Sequence, residues 1–294
     1  MRPHLLLFSA LCAASACAVP PPPSAARTPA HRAVRVASWN VHDLFDAVDE
    51  VSPPGDLDEL RTVAEVEAKV ARVAEVLARA DADVVLLQEV ETLPLARALA
   101  ARAGYGEARL VEAFDPRGID VAVLSRLAVE PYVSHLGEVG PDGRPLWSRD
   151  CVEAHVSVPP GELVVVGTHL VSRLTDPAGD RRRAQAARMR EIVDGLVRLR
   201  PGTLVLAGGD LNDEPASAAL SPLLGDGGWV DALDAFGLAS TWTWLGLGGG
   251  RRLDYLLVPR EDAWRVLGAT VLDGPDVAAA SDHRPVVVDL LWGR

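Results

Sequence analysis

The apolar run Leu204-Val205-Leu206-Ala207 closes on Gly208-Gly209 and opens into Asp210, Leu211, Asn212 and Asp213. A short apolar run ended by glycines reads as a buried strand whose exit can turn sharply and let another group come close. If the extended geometry persists, Asp210 and Asn212 stand on one side of the sheet at its mouth. A carboxylate and an amide placed there can hold a water and a phosphate oxygen. Similar endings recur at Asn40, Glu89, His169, Asp254 and the pair Asp282-His283. Singly, each has a plain structural reading: Asn40 ends a strand, Glu89 caps a helix from Thr92, Asp254 pairs with Arg251 or Arg252, and His283 is a buried, hydrogen-bonded histidine. Together they describe a site, because binding groups gather on loops at rigid strand ends.

The donor types narrow the chemistry. Magnesium takes oxygen ligands, commonly one or two carboxylates, and leaves its other positions to water and substrate phosphate. Glu89 and Asp282 with Asn40 suit that ion. A zinc site is not offered, because the thiols are missing and no His-x-x-x-His pair occurs. A Walker loop and a Gly-x-Ser-x-Gly elbow are also absent. Phosphoester hydrolysis by a metal-assisted water is what is left.

These side chains need elements to carry them. Residues 34–41 alternate as a strand that delivers Asn40 and His42. Residues 58–80 place Val63, Val66, Val70, Val73 and Leu77 at helical spacing, which predicts an amphipathic helix covering a sheet. A buried strand over 83–89, a short helix over 92–103 and a strand over 118–125 follow. The segments 151–158 and 163–170 read as a hairpin turning at Pro159-Pro160-Gly161. A helix opens at Arg181-Arg182-Arg183 and runs to about Arg198. The segments 253–258, 266–272 and 285–291 complete the strands. No internal repeat is present.

Met1-Arg2-Pro3-His4 and the apolar run to Ala18 have the form of a secretory signal over 1–18, too short to span a bilayer. Ala14-Ser15-Ala16-Cys17 also resembles a lipoprotein signal, with Cys17 as the lipidated residue. A Pro/Ala-rich linker over 19–33 leads to one domain over 34–294. The chain is 49% hydrophobic and 24% charged, ordinary for a globular protein. Its net charge of −12, or −13 once Arg2 leaves with the signal, argues against a broad, sequence-independent grip on DNA. It leaves room for a nuclease with local basic groups. Cys151 is the one thiol of the mature domain, so no internal disulfide is expected; it reads as a small buried hydrophobe.

In order along the chain, Ser38-Trp39-Asn40, Gln88-Glu89-Val90, Gly118 to Ser125, Thr168-His169-Leu170, Arg182-Arg183-Ala184-Gln185-Ala186, Gly209-Asp210-Leu211-Asn212-Asp213, Leu253-Asp254-Tyr255 and Ser281-Asp282-His283-Arg284-Pro285 resemble the motifs of the endonuclease/exonuclease/phosphatase superfamily, the deoxyribonuclease I-like group. The resemblance spans Val34 to Leu291, is of an exported bacterial type, and does not select a substrate. It implies a four-layer α/β/β/α sandwich, with two mostly antiparallel sheets packed face to face and flanked by helices. It also implies a Mg²⁺ site at one rim, Mn²⁺ being a substitute. Residue by residue, Glu89 becomes the principal metal ligand with Asn40 and Asp282 around the ion. Asp210 orients or deprotonates the attacking water, and Asn212 bonds the phosphate or the nucleophile. His283, oriented by Asp254, stabilises phosphoryl charge, and His169 meets the same phosphate from the other side. Asp210 is favoured over His283 as general base. One departure is His42, with Asp43 beside it, where nuclease branches carry an acid or amide. No insertion of the kind used for abasic-site recognition is present.

The expected function is therefore an exported, Mg²⁺-dependent phosphoesterase. Nuclease action is preferred because Arg149 and Arg181 to Arg183, Arg182 among them, offer cations to a nucleic-acid backbone. A sphingomyelinase-like lipid phosphodiesterase is the alternative, for which Trp242, Trp244, Leu245 and Leu247 would form the apolar loop. A non-catalytic surface binding module is a third reading. The expected protein is a monomer that is periplasmic, extracellular or lipid-anchored. It needs no protein partner and meets a membrane only through its anchor.

Overall fold

The computed structural model describes residues 32–48 and 61–293. The expected signal over 1–18, most of the expected linker and the start of the first helix lie outside them. The elements in chain order are β1 (Arg32–Leu44), α1 (Val63–Ala80), β2 (Val84–Val90), α2 (Leu93–Ala103), β3 (Glu107–Leu110), β4 (Asp120–Ser125), β5 (Val129–Ser134), β6 (Cys151–Val158), β7 (Gly161–His169), α3 (Asp180–Leu199) and β8 (Leu204–Asp210). There follow α4 (Ser221–Leu224), β9 (Trp229–Asp231), α5 (Ala232–Ala235), β10 (Trp244–Gly246), β11 (Gly249–Arg251), β12 (Asp254–Pro259), β13 (Val266–Val271), α6 (Pro275–Ala280) and β14 (Val286–Trp292). The strands expected from alternation are present, with β1 starting two residues before the expected Val34. The short strands β3, β5, β9, β10 and β11 carry too few apolar residues to announce themselves.

Two six-stranded sheets run in the orders β13-β14-β1-β2-β4-β3 and β5-β6-β7-β8-β12-β9, and β10 and β11 form a separate ribbon. The sheets are mostly antiparallel, as expected, but each has one parallel pair at its centre: β1 with β2, and β7 with β8. Parallel neighbours need a crossover, and α1 and α3 supply it. α1 starts on a capping box, in which Thr62 Oγ1 accepts from Glu65 N at 3.3 Å and the Glu65 carboxylate accepts from Thr62 N at 2.8 Å.

Period-two alternation divides the core into three layers. Val34 and Val36 of β1, Val84 and Leu86 of β2, Leu163 and Val165 of β7, and Leu204 and Leu206 of β8 fill the space between the sheets. Their neighbours face outward, Trp39, Val85 and Leu87 toward α1 and α2, and Val164, Val205 and Ala207 toward α3. Burial on both faces explains the continuous apolar runs. Cys151 is a buried free thiol at the start of β6.

Candidate active site

Continuing the same alternation two steps past Val36, Val165 and Leu206 puts Asn40, His169 and Asp210 on the inner face, at the C-terminal rim of both parallel pairs. Asp254 joins them as the first residue of β12, paired in register with Asp210, and His283 stands just ahead of β14. The rim is thus built from strand ends and strand starts, not from ends alone. Gly209 makes it possible. Its φ is +128°, and a Cβ there would lie 1.9 Å from the Thr168 carbonyl oxygen. Glu89 sits at odd parity and would point to the helices. A left-handed φ of 65° and a register slip between Gln88 and Val90 turn it inward. Such a conformation in a non-glycine residue is a cost that functional sites commonly carry.

The side chains converge on Asp210 Oδ2. Asn40 Nδ2 donates to it at 3.0 Å, and His169 Nε2 and His283 Nε2 stand 3.4 and 3.8 Å away. Asp210 Oδ1 accepts from the Asn212 backbone amide at 2.8 Å. Burial, then the charge of Asp254, push the Asp210 carboxyl up to about 7. The two histidines differ sharply. His283 Nδ1 lies 2.9 Å from Asp254 Oδ2; burial alone would discharge the ring, yet Asp254 and Asp210 overcome it and hold its pKa near about 10. His169 faces Asp210, at 3.4 Å, and Arg149. Burial, then the Arg149 guanidinium, drive its pKa well below the usual histidine value. Arg149 Nη1 lies 3.1 and 2.9 Å from the two ring nitrogens, and Arg149 Nε is 3.2 Å from Asp115.

A second cluster adjoins the first. Asn40 Nδ2 also donates to Glu89 Oε1 at 3.0 Å, and the Asp43 amide donates to Glu89 Oε2 at 2.9 Å. His42, Asp43 and Glu89 bring ligand atoms within 4.8 Å of one another. Burial, then the charge of Glu89, push the Asp43 carboxyl up to about 6. Burial opposes ionisation of Glu89 too, but the Asn40 amide and Arg117 hold its carboxyl below the usual range. Arg117 reaches Asp43 at 3.1 Å and Glu89 at 3.9 Å. Two facing carboxylates with amide and imidazole donors beside them fit a hard divalent cation.

Asp282 adjoins this cluster through His42. Its oxygens face His42 Nδ1 at 3.1 Å and Trp244 Nε1 at 2.8 Å, and despite burial His42 holds its carboxyl down at about 2. Asn40 spends its amide nitrogen on Glu89 and Asp210 and its oxygen on the His42 amide at 2.9 Å.

Two expectations are corrected. Asn212 does not continue the extended strand: its φ is 53°, and its side-chain amide donates to the Leu170 carbonyl at 2.9 Å. Arg182 does not face solvent or substrate. It is 2% exposed, with Nε on Asp213 at 3.0 Å and Nη1 on the carbonyls of Val171 and Asp176, both at 3.2 Å. The plain readings of single residues fare as follows: Thr92 caps α2 itself, Arg252 pairs with Asp231 and Asp234, and Asp254 is left to His283. Sequence reasoning passed over Arg117, although it precedes the quoted Gly118. It also passed over Ser281, whose hydroxyl donates to the Asn40 carbonyl at 2.7 Å and accepts from the His283 amide at 2.9 Å.

Two β-sheets face to face, helices outside, and a buried His–Asp pair beside a carboxylate cluster at one rim define a phosphoester hydrolase of the deoxyribonuclease I-like sandwich class. The chain belongs to the Endonuclease/Exonuclease/phosphatase family, whose pattern matches residues 37–283. In fold it is similar to truncated TDP2 of Caenorhabditis elegans, with 20% identity, a TM-score of 0.63, and 88% of this chain and 98% of that one covered. It is similar also to the human Nocturnin catalytic domain with bound sulfate, with 17% identity, a TM-score of 0.65, and 87% and 93% covered. A family protein from Bacteroides thetaiotaomicron gives 16% identity, a TM-score of 0.62, and 90% and 99% covered. No curated protein matches the chain in sequence.

Proposed function

We propose that the chain is an exported, monomeric, Mg²⁺-dependent phosphodiesterase acting on a nucleic-acid backbone, with Mn²⁺ as a substitute ion. The observation that carries the reading is the meeting of Asn40, neutral His169 and cationic His283 on one oxygen of Asp210. Groups of one type pushed to opposite protonation states mark the division of acid and base work. Asp210, raised to about 7, is matched to accept a proton from water near neutral pH. His283, held cationic by Asp254, faces the charge that develops on the phosphoryl oxygens. Burial, with Arg149 beside it, keeps His169 neutral, so the ring meets phosphate as a hydrogen-bonding group. A divalent ion, held by Glu89 and Asp43 with Asn40 and Asp282 around them, would supply Lewis-acid neutralisation of the phosphate. The basic head and apolar run of residues 1–18 support export.

One observation favours lipid headgroups as a second reading. Leu245 is 54% exposed and Leu247 fully exposed on the β10–β11 ribbon, whose Trp244 holds Asp282. Of the cations that favoured nucleic acid, Arg149 and Arg182 are buried, and Arg181 is spent on the carbonyls of Pro145 and Leu146. The test is a cleavage panel of double- and single-stranded DNA, RNA, sphingomyelin and inositol phosphates, each with Mg²⁺ and with EDTA, beside Asp210→Ala. Metal-dependent cleavage of nucleic acid, absent in the variant, is expected. Cleavage of sphingomyelin alone would move the substrate to lipid, and EDTA-resistant turnover would overturn the metal dependence.

A further inference from the structure

Lys69 lies on α1, outside the first sheet, and takes no part in the chemistry described above. Its ammonium nonetheless donates at 2.8 Å to the His42 carbonyl and at 2.6 Å to the Ala280 carbonyl. The first belongs to the end of β1, between Asn40 and Asp43, where the chain has turned left-handed at His42, with φ 55°. The second is the last carbonyl of α6, one of the groups a helix end leaves without an internal partner, and it stands two residues before Asp282 and three before His283. A lysine on a surface helix ordinarily carries its head into water. This one is half-buried, beside the inward-facing Val70 and Val73, and the carboxylates of Asp43, Glu89 and Asp282 are near enough for their charges to act on it.

The two loops it touches hold four side chains of the site. Three direct links join them: Trp39 Nε1 on the His283 carbonyl at 3.0 Å, Ser281 Oγ on the Asn40 carbonyl at 2.7 Å, and His42 Nδ1 against Asp282 at 3.1 Å. Lys69 ties both to a third, rigid element.

We propose that Lys69 is a positioning residue that clamps the end of β1 to the turn after α6, fixing the spacing between Asn40 and Asp43 on one side and Asp282 and His283 on the other. The clamp rests on geometry; its consequence for turnover rests on the phosphodiesterase reading above. Displacing reacting groups by about 1 Å costs on the order of 100-fold in rate. Loss of the ammonium therefore lowers kcat and leaves KM nearly as it was, because no substrate contact is removed.

The test compares full-length wild type, Lys69→Met, Lys69→Gln and Lys69→Arg by amide hydrogen exchange and by hydrolysis of bis(p-nitrophenyl) phosphate with Mn²⁺. In Lys69→Met, exchange at His42 to Leu44 and at Asp282 to Arg284 should quicken at least about tenfold, while amides over 73–80 keep their wild-type rates. kcat should fall about 10- to 100-fold with KM within about threefold. Lys69→Arg, which can donate to both carbonyls, should recover most of both losses, and Lys69→Gln should fall between. Unchanged exchange in the two loops of a folded Lys69→Met overturns the proposal. So does a rise spread evenly over α1 and the sheets, or an arginine variant as impaired as the methionine one. If Lys69→Met does not fold, the glutamine and arginine variants decide by the same rates. If the wild type shows no turnover on this diester or on the substrate panel, the phosphodiesterase reading fails, while exchange still decides the clamp.

Discussion

At the residue scale the site turns on giving two histidines opposite charges. His283 is protonated because Asp254, 2.9 Å from Nδ1, outweighs its burial, and His169 is neutral because it is buried and lies against the Arg149 guanidinium. The pH dependence follows. Below about 7 Asp210 binds a proton and cannot take another, so kcat/KM should climb as pH rises through that value; above about 10 His283 loses its cation and the rate should fall again. Asp254→Asn removes the main support of that cation. Its alkaline limb should move at least about one pH unit lower, with kcat reduced about 10- to 100-fold. An unmoved alkaline limb would assign it to another group. Arg182 makes the opposite case, in which a conspicuous charge serves the fold. Arg182→Ala leaves buried Asp213 with only the longer, half-exposed pair to Arg173 at 3.6 Å, so stability should drop by about 3 kcal/mol in urea unfolding, while KM at a temperature where the variant is folded stays within about twofold. A raised KM with unchanged stability would return Arg182 to the substrate.

At the element scale, the parallel pairs β1–β2 and β7–β8 bring four polar strand ends to one rim, and their antiparallel neighbours start there. The edge pair β5–β6 makes its own prediction, away from the site. His135 Nε2 contacts Glu153 at 2.7 Å and Nδ1 contacts Glu138 at 3.0 Å, and Arg188 also holds Glu138. Burial opposes the charge, but Glu153 and Glu138 raise the His135 pKa above 6.5, and Arg188 brings Glu138 from 4.5 down to about 2 despite its own burial. The stabilisation from His135 is complete below 6.5 and fades as pH rises through its higher folded value. That from Glu138 is present above 4.5 and fades toward 2. The Tm difference between wild type and His135→Gln should therefore be largest near pH 5.5 and shrink by pH 8.5; a difference independent of pH would remove His135 from the balance. This scale also shows what the chain declares about itself. Asn40, His169 and Asp210 extend an apolar alternation by two steps, so their shared face can be read from the sequence, as can the helices that cross between parallel strands. Glu89 defeats that reading because a bulge reverses its parity. Asn212 defeats it because the chain turns left-handed after Asp210, and Lys69 and Arg117 because their partners are distant carbonyls and carboxylates that no local pattern marks.

At the scale of the whole molecule the rim is where two well-packed sheets meet with acids on both sides, Asp43 and Glu89 from one and Asp210 and Asp254 from the other. The apolar layer between the sheets holds these acids close together, with Arg117 on Asp43 and Glu89 and His283 on Asp254 offsetting only part of their charge, and Asp43 shows the cost. Its carboxyl is raised from 3.8 to about 6, so the folded state disfavours its charge, and stability contributed by its neutral form is lost as pH rises through that range. A cation that binds the folded protein alone reverses the balance. At a concentration 100 times Kd it adds about 2.7 kcal/mol, which for a domain of this size is roughly 5–10 °C in Tm. Mg²⁺ or Mn²⁺ should therefore raise Tm by about that amount over EDTA at pH 8. Asp43→Asn should do two opposite things: melt at or above the wild-type temperature in EDTA, because a disfavoured charge is gone, and lose at least about half of the metal-induced gain, because a ligand is gone. A variant less stable than wild type in EDTA would deny the repulsion between Asp43 and Glu89, and one with an undiminished metal shift would place the cation away from Asp43. Both outcomes as expected would mean that the sandwich gives up stability at this rim to hold a site for a divalent ion.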